Sequence, residues 1–350
     1  MKGLVLEGGG VKGSYQVGAF YAFRDSKVKL DGFVGTSIGS FNAAMLASNK
    51  SSELLDFWYN VSPGELLGFD KKFIDAINNG DKDIESLKSA FSALKKVVRN
   101  FGIDNTNLLE NIKNVLDYDA LMNSKKDFGL VTVQISRKGI KPIYVYKSDI
   151  NSKDKLIEFL MASSYLPVFR EKRIIDNHFY IDGGFYDNSP VKLLADIGYD
   201  EIYVINIKGI GINRRHDVSS KVINIAPSRD NGKILEFNRD IIRDNIMMGY
   251  YDTLRVLKKL DGYRYCFKRR SNKYYKFITR KVNKRLFNRV MNFFGTNTYK
   301  STVLKALEYI LEKEHIDYYD VYDSYKLIKS FRNNKNKYFV YRFIREIRFF

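Results

Sequence analysis

The sequence is poor in cysteine, histidine and proline. One cysteine, Cys266, stands among 350 residues. No disulfide can form within the chain, and no thiolate-based zinc cluster can be built. The three histidines, His178, His216 and His315, are too scattered to suggest a metal site. Five prolines and 24 glycines exclude collagen-like and proline-rich linker architectures. No stretch approaches the ~18 uninterrupted apolar residues of a transmembrane helix. The apolar run of the N-terminal MKGLVLEGGG is broken by Glu7 and glycines, unlike a secretory signal. A reducing, cytoplasmic setting is the expectation, and neither metal nor cofactor is called for.

What is abundant is positive charge. The net is +19, and it is concentrated: residues 246–350 hold 25 Lys and Arg against 9 Asp and Glu, which leaves +3 for residues 1–245. So basic a segment attracts an anionic partner. The remaining composition, 45% hydrophobic and 28% charged, is that of a globular protein and excludes whole-chain disorder. Frequent Lys, Asn, Ile and Tyr fit an AT-rich bacterial coding sequence.

Residues 1–50 read as strand–turn–helix twice. Strands are expected at Gly3–Glu7 and up to Gly35, and helices at Ser14–Arg24 and Ile38–Ser48. That alternation predicts an α/β domain with a mainly parallel sheet. Residues 51–125 read as a helical insertion or cap, with breaks at Pro63-Gly64 and Asn78–Asp83. Trp58, Phe57 and Tyr59 within it read as core. Further strands are expected at Phe128–Ser136, Lys141–Tyr146, Phe179–Ile181, Glu201–Lys208 and Lys221–Ile225. A helix is expected at Lys153–Ser163, and another to about Ile197, opened by Ser189 as N-cap and Pro190. From about residue 236 helices dominate, which gives two domains, 1–235 and 236–350. Ile278, Val282, Leu286, Val290 and Phe294 repeat every four residues, with basic residues between them.

Three short motifs carry chemistry. Gly35-Thr36-Ser37-Ile38-Gly39 is a G-x-S-x-G sequence between an apolar strand and a helix. Such a turn thrusts its serine out of the sheet as a nucleophile, although a tight turn with an N-capping serine reads the same way. Gly8-Gly9-Gly10-Val11-Lys12-Gly13 can turn backbone N–H groups into one concavity and hold an anion. It also matches G-x-G-x-x-G, but the acid that a dinucleotide site needs ~20 residues on would be Asp31, which begins its strand instead of ending it. A P-loop is excluded because Gly13 follows Lys12. Tyr180-Ile181-Asp182-Gly183-Gly184 places an aspartate at a strand end, in what is also a common turn.

In this order the three motifs resemble those of the patatin-like lipid acyl hydrolases, together with Asn42-Ala43-Ala44, Ala162-Ser163-Ser164, Pro167 and Asn188-Ser189-Pro190-Val191. The resemblance covers about residues 1–230. It implies a three-layer patatin-like fold and hydrolysis of fatty acyl esters of membrane lipids, of the phospholipase A or lysophospholipase type, without a metal. Ser37 would be the nucleophile, Asp182 the general base, and the N–H groups of Gly9, Gly10 and Val11 the oxyanion donors. Gly8, Lys12, Gly13, Gly35, Gly39, Gly183 and Gly184 would support them. Lys12 either steadies its loop, meets a lipid phosphate or faces solvent.

Three rivals remain. A Ser–His–Asp triad would nominate His216 or His315. An acyltransferase would use the same fold. A basic nucleotide- or nucleic-acid-binding protein would use the glycine loop for phosphate. In the C-terminal region, residues 264–289 contain eleven Lys and Arg and no acid, and 338–350 interleave aromatics with arginine. These segments predict peripheral attraction to an anionic membrane, ranked ahead of nucleic acid because the resemblance implies a lipid substrate. The apolar stripe itself is expected to pack on protein. Cys266 lies among cations that can depress a thiol pKa, but it reads as structural.

Overall fold

A computed structural model describes residues 1–61, 113–136, 139–165, 173–176, 178–234, 236 and 238–349. Most of the expected insertion at 51–125, with its breaks at Pro63-Gly64 and Asn78–Asp83, lies outside the described residues, as does Pro167. The chain divides into two compact units, Met1–Tyr250 and Tyr251–Phe350.

The first unit is built on an eight-stranded sheet. Its strands are β1 (Lys2–Leu6), β2 (Gly32–Thr36), β3 (Asp127–Ser136), β4 (Gly139–Tyr146), β5 (Arg173–Ile175), β6 (His178–Asp182), β7 (Glu201–Ile205) and β8 (Lys221–Ile225). The order is β5-β6-β3-β2-β1-β7-β8, and β4 pairs with β3. Strands β3, β2, β1, β7 and β8 run parallel, while β4, β5 and β6 are joined antiparallel. β2 is buried at every position, as a parallel strand covered on both faces must be.

The pleat sends alternate side chains to opposite faces. Val5, Val34, Val131 and Val204 meet Val191, Leu193 and Leu194 of the short helix Val191–Ala195. Phe33 and Tyr203 point the other way, to Phe20 and Phe23 of α1 (Ser14–Asp25). A sheet between two helical layers is the expected three-layer α/β arrangement.

Strand β3 sets the geometry of the site. Its first half pairs with β2 and its second half with β6. Thr36 opposes Val131 in one ladder and Asp182 opposes Thr132 in the other. Two strands distant in sequence therefore end at consecutive residues of a third.

Two local expectations are corrected. β7 stops at Ile205 instead of Lys208. The Glu7 carboxylate takes the Ile207 N–H at 2.6 Å, and Lys208 adopts a left-handed φ of 53°, so the chain leaves the sheet. Ser189 does not cap the following helix. Its hydroxyl has no partner among the described residues, and Pro190 occupies the cap position with Val191 as the first helical residue.

The second unit has helices Asn272–Ile278, Lys284–Phe293, Tyr299–Lys313, Ser324–Ser330 and Phe339–Glu346, plus a two-stranded pair, Cys266–Phe267 with Val321–Tyr322. The every-four stripe crosses a break between its first two helices. The Thr279 hydroxyl bonds back to the Tyr275 carbonyl, and Asn283 caps the new helix through the N–H groups of Arg285 and Leu286. Ile278, Val282, Leu286 and Val290 are nonetheless buried in this unit's own core with Phe343 and Ile344. Cys266 is also buried. Its thiol donates to the Tyr251 carbonyl, and burial pushes its pKa up to about 11, the opposite of an activated thiol. Among the described residues, no helix is long and apolar enough to cross a membrane.

Candidate active site

Ser37 sits at the apex between β2 and α2 (Ile38–Ala47), with φ 54° and ψ −129°. This region is costly for any residue with a Cβ and is tolerated where the surroundings enforce it. The flanking glycines permit the turn. A Cβ on Gly35 would lie 2.3 Å from the Gly39 carbonyl oxygen, and one on Gly39 would lie 2.1 Å from that of Leu6. Ser37 N–H donates to Ser163 Oγ at 2.9 Å, and Ser163 Oγ donates to the Val131 carbonyl at 2.7 Å. The Ser37 hydroxyl makes no capping bond to its helix. It lies beside the Asp182 carboxyl, whose pKa it lowers.

Asp182 is buried, and its N–H donates to the Tyr165 carbonyl at 2.8 Å. Its Oδ1 accepts the Gly184 N–H at 2.7 Å. Burial pushes its pKa up to about 6, and the nearby Ser37 hydroxyl and the Gly184 N–H oppose that rise. At Gly183 a Cβ would lie 2.2 Å from the Val131 carbonyl oxygen, so the turn packs directly on β3.

The glycine loop lies beside this pair. A Cβ on Gly8 would come within 3.0 Å of Ser37 Cβ. Among the described residues, the N–H groups of Gly9 and Gly10 have no acceptor. Val11, expected as a third donor, is engaged in this conformation. Its N–H donates to the Ile234 carbonyl at 2.8 Å, and that oxygen would be 2.2 Å from a Cβ on Gly10. Behind the loop runs a buried polar chain: Trp58 Nε1 donates to Asn42, Asn42 to Gln16 and to the Gly13 carbonyl, and Gln16 to the Glu7 carbonyl. Trp58 is thus core, as expected. Lys12 is buried, and its Nζ donates to the Lys208 carbonyl at 3.2 Å, which excludes the solvent-exposed reading.

The histidines are elsewhere. His216 Nε2 lies 2.8 Å from Asp187 Oδ2, which also accepts the Tyr144 hydroxyl at 2.9 Å. His178 is exposed at the start of β6, and His315 follows the helix Tyr299–Lys313. No bond joins any of them to Ser37. Asp187 and Glu7 are two buried carboxylates that sequence reasoning missed, and burial raises the pKa of both. They pin the segment between β7 and β8: Glu7 takes the N–H of Ile207 and the Asn213 amide, and Asp187 takes His216. Ser163, the middle residue of Ala162-Ser163-Ser164, supports the elbow. Among the described residues, no group of three His, Cys, Asp or Glu is placed to hold a metal ion.

A family model described as patatin-like phospholipase matches residues 4–195, more than half of the chain. The chain belongs to that family. Two curated relatives, each named patatin-like phospholipase domain-containing protein 7, from Rattus norvegicus and Mus musculus, are 22% identical over 208 residues. That alignment covers 58% of this chain and 13% of each relative's length. Among solved structures, VipD from Legionella pneumophila matches with a TM-score of 0.44 and 15% identity, covering 95% of this chain and 79% of VipD. The type III effector protein ExoU matches with a TM-score of 0.37 and 12% identity, covering 98% of this chain and 73% of ExoU. The patatin-like match ends within the first unit and leaves the basic second unit outside it.

Proposed function

We propose that the protein is a serine lipid acyl hydrolase that cleaves fatty acyl esters of membrane lipids through a Ser37–Asp182 dyad. The observation that carries this reading is that the Ser37 hydroxyl, at a strained elbow, lies beside the buried Asp182 carboxyl and lowers its pKa. Family membership supplies the lipid. Asp182 accepts the Ser37 proton as Oγ attacks the ester carbonyl carbon. The carbonyl oxygen becomes an oxyanion facing the open N–H groups of Gly9 and Gly10. Collapse expels the alcohol, which takes the proton from Asp182 and leaves an acyl-Ser37. Water then gives a proton to Asp182 and attacks the acyl carbon, which releases the fatty acid and regenerates the serine. An aspartate at its ordinary pKa is a feeble base for a hydroxyl, and burial raises its basicity.

The second unit supplies membrane attraction in this reading. Lys276, Arg280, Lys281, Lys284, Arg285 and Arg289 are exposed. Phe277 and Phe293 are about half exposed among them. Aromatics within a cationic field suit the interface of an anionic bilayer.

The test is release of fatty acid from phospholipid vesicles by the full chain. Ser37→Ala and Asp182→Asn should each abolish release while circular dichroism stays unchanged. Retained turnover in either variant overturns the dyad. Transfer of the acyl group to an added alcohol in preference to water would reassign the protein as an acyltransferase.

A further inference from the structure

We propose that Asn188 is a positioning residue for the oxyanion site, setting the direction of the Gly9 N–H. This rests on the dyad reading above and deepens it. Asn188 is buried and reaches the glycine loop from the far side of the sequence. Its Nδ2 donates to the Gly8 carbonyl at 3.1 Å, and its own carbonyl accepts the Gly8 N–H at 3.4 Å. The Gly8 carbonyl and the Gly9 N–H belong to one peptide group. That group is planar and trans, so its C=O and N–H point in opposite directions. With the oxygen held toward Asn188, the Gly9 hydrogen must aim away from it, and no protein acceptor takes it among the described residues. A glycine peptide without such a clasp would rotate freely through φ and ψ values closed to other residues.

The surroundings of Asn188 fit this role. Its Oδ1 is buried with no hydrogen-bond partner among the described residues. A Cβ on Gly8 would lie 2.5 Å from that oxygen, and one on Gly184 would lie 2.9 Å from it. The amide therefore fits only because both loops lack side chains there. An apolar residue would fill the space without stranding an acceptor. What the amide adds is the bond to Gly8. Asn188 is itself fixed, since its N–H donates to the Ile212 carbonyl at 2.8 Å while the Ile212 N–H returns to the Gly184 carbonyl at 2.9 Å. One residue thus joins the loop of the oxyanion donors to the turn that carries Asp182.

The experiment uses the full chain and a soluble nitrophenyl ester, with Asn188→Ala and Asn188→Asp compared to the parent. Asn188→Ala should lower kcat by about 10- to 100-fold with KM nearly unchanged, since a misdirected donor is missed in the transition state and not in the ground state. Reaction with a fluorophosphonate, whose tetrahedral adduct also places an oxygen in the hole, should slow by a similar factor. Asn188→Asp presents an ionised oxygen to the Gly8 carbonyl and should be impaired. Protonation restores a donor, so its rate relative to the parent at the same pH should rise as pH falls. That ratio keeps the test decisive if Asn188→Ala fails to fold. An unchanged kcat in Asn188→Ala, a change confined to KM, or a ratio for Asn188→Asp that is flat with pH overturns the proposal. A parent protein without esterase activity overturns the dyad reading instead, and the two failures are distinct.

Discussion

Asp182 lies beside the hydroxyl of Ser37, and the Gly184 N–H, 2.7 Å from its Oδ1, holds the carboxylate in place. Their meeting follows from the register on β3, where the ends of β2 and β6 face Val131 and Thr132. Neighbouring positions on one strand fix two groups that lie far apart along the chain.

Ester hydrolysis should depend on pH with a single acid limb. Asp182 must be ionised to accept a proton, and burial lifts its pKa to about 6. The logarithm of kcat/KM should fall with unit slope below about pH 6 and be level above it. An acid limb centred near the ordinary carboxylate value of 3.8 would show that the group is not desolvated in solution.

The same burial predicts a gain in stability when the charge is removed. The Asp182 pKa is higher in the folded state than in the unfolded chain, so the folded state binds the proton more tightly. Its contribution is most favourable below about 3.8 and is lost as pH rises through about 6. At pH 7.5 Asp182→Asn should therefore be inactive yet more stable, by up to about 2–3 kcal/mol, with the gain shrinking toward pH 4. Urea denaturation at the two pH values measures this. A loss of stability at pH 7.5 would count against a buried, ionised Asp182.

Ser37 stores backbone strain of its own. At φ 54° a glycine is at ease and an alanine is not. Ser37→Gly should raise stability by about 1 kcal/mol over Ser37→Ala, and both should be inactive. Equal stability for the two variants would mean that the elbow relaxes in solution.

The motifs were legible in the sequence because glycine records backbone demand. Gly35 and Gly39 mark an approach that a methyl group would block at 2.3 and 2.1 Å. The parallel sheet was legible because β1 and β2 are short apolar runs next to helical periodicity. What was hidden depends on contacts between distant segments. Nothing near Val11 indicates that the Ile234 carbonyl would occupy its N–H. Glu7 gives no local sign that it will end β7 through Ile207. The break at Thr279–Asn283 leaves no mark on the apolar period, which continues in phase across it, and the buried stripe needs only that phase.

The basic unit yields a prediction separable from catalysis. Its apolar stripe faces its own core, so it is not available to insert into lipid. Attraction to a bilayer then rests on charge and on exposed rings such as Phe277 and Phe293. Binding of the full chain to phosphatidylserine vesicles should weaken steeply between low and physiological salt, because surface charges are screened over about 8–10 Å there. Replacing Lys276, Lys281, Lys284 and Arg285 together with serine should weaken binding at low salt by up to about 1 kcal/mol per residue. These side chains are exposed, so stability should change little. Turnover of a soluble ester should be unaffected while vesicle hydrolysis falls. Vesicle binding indifferent to both salt and the four substitutions would remove the membrane role from this unit and leave the hydrolase assignment standing.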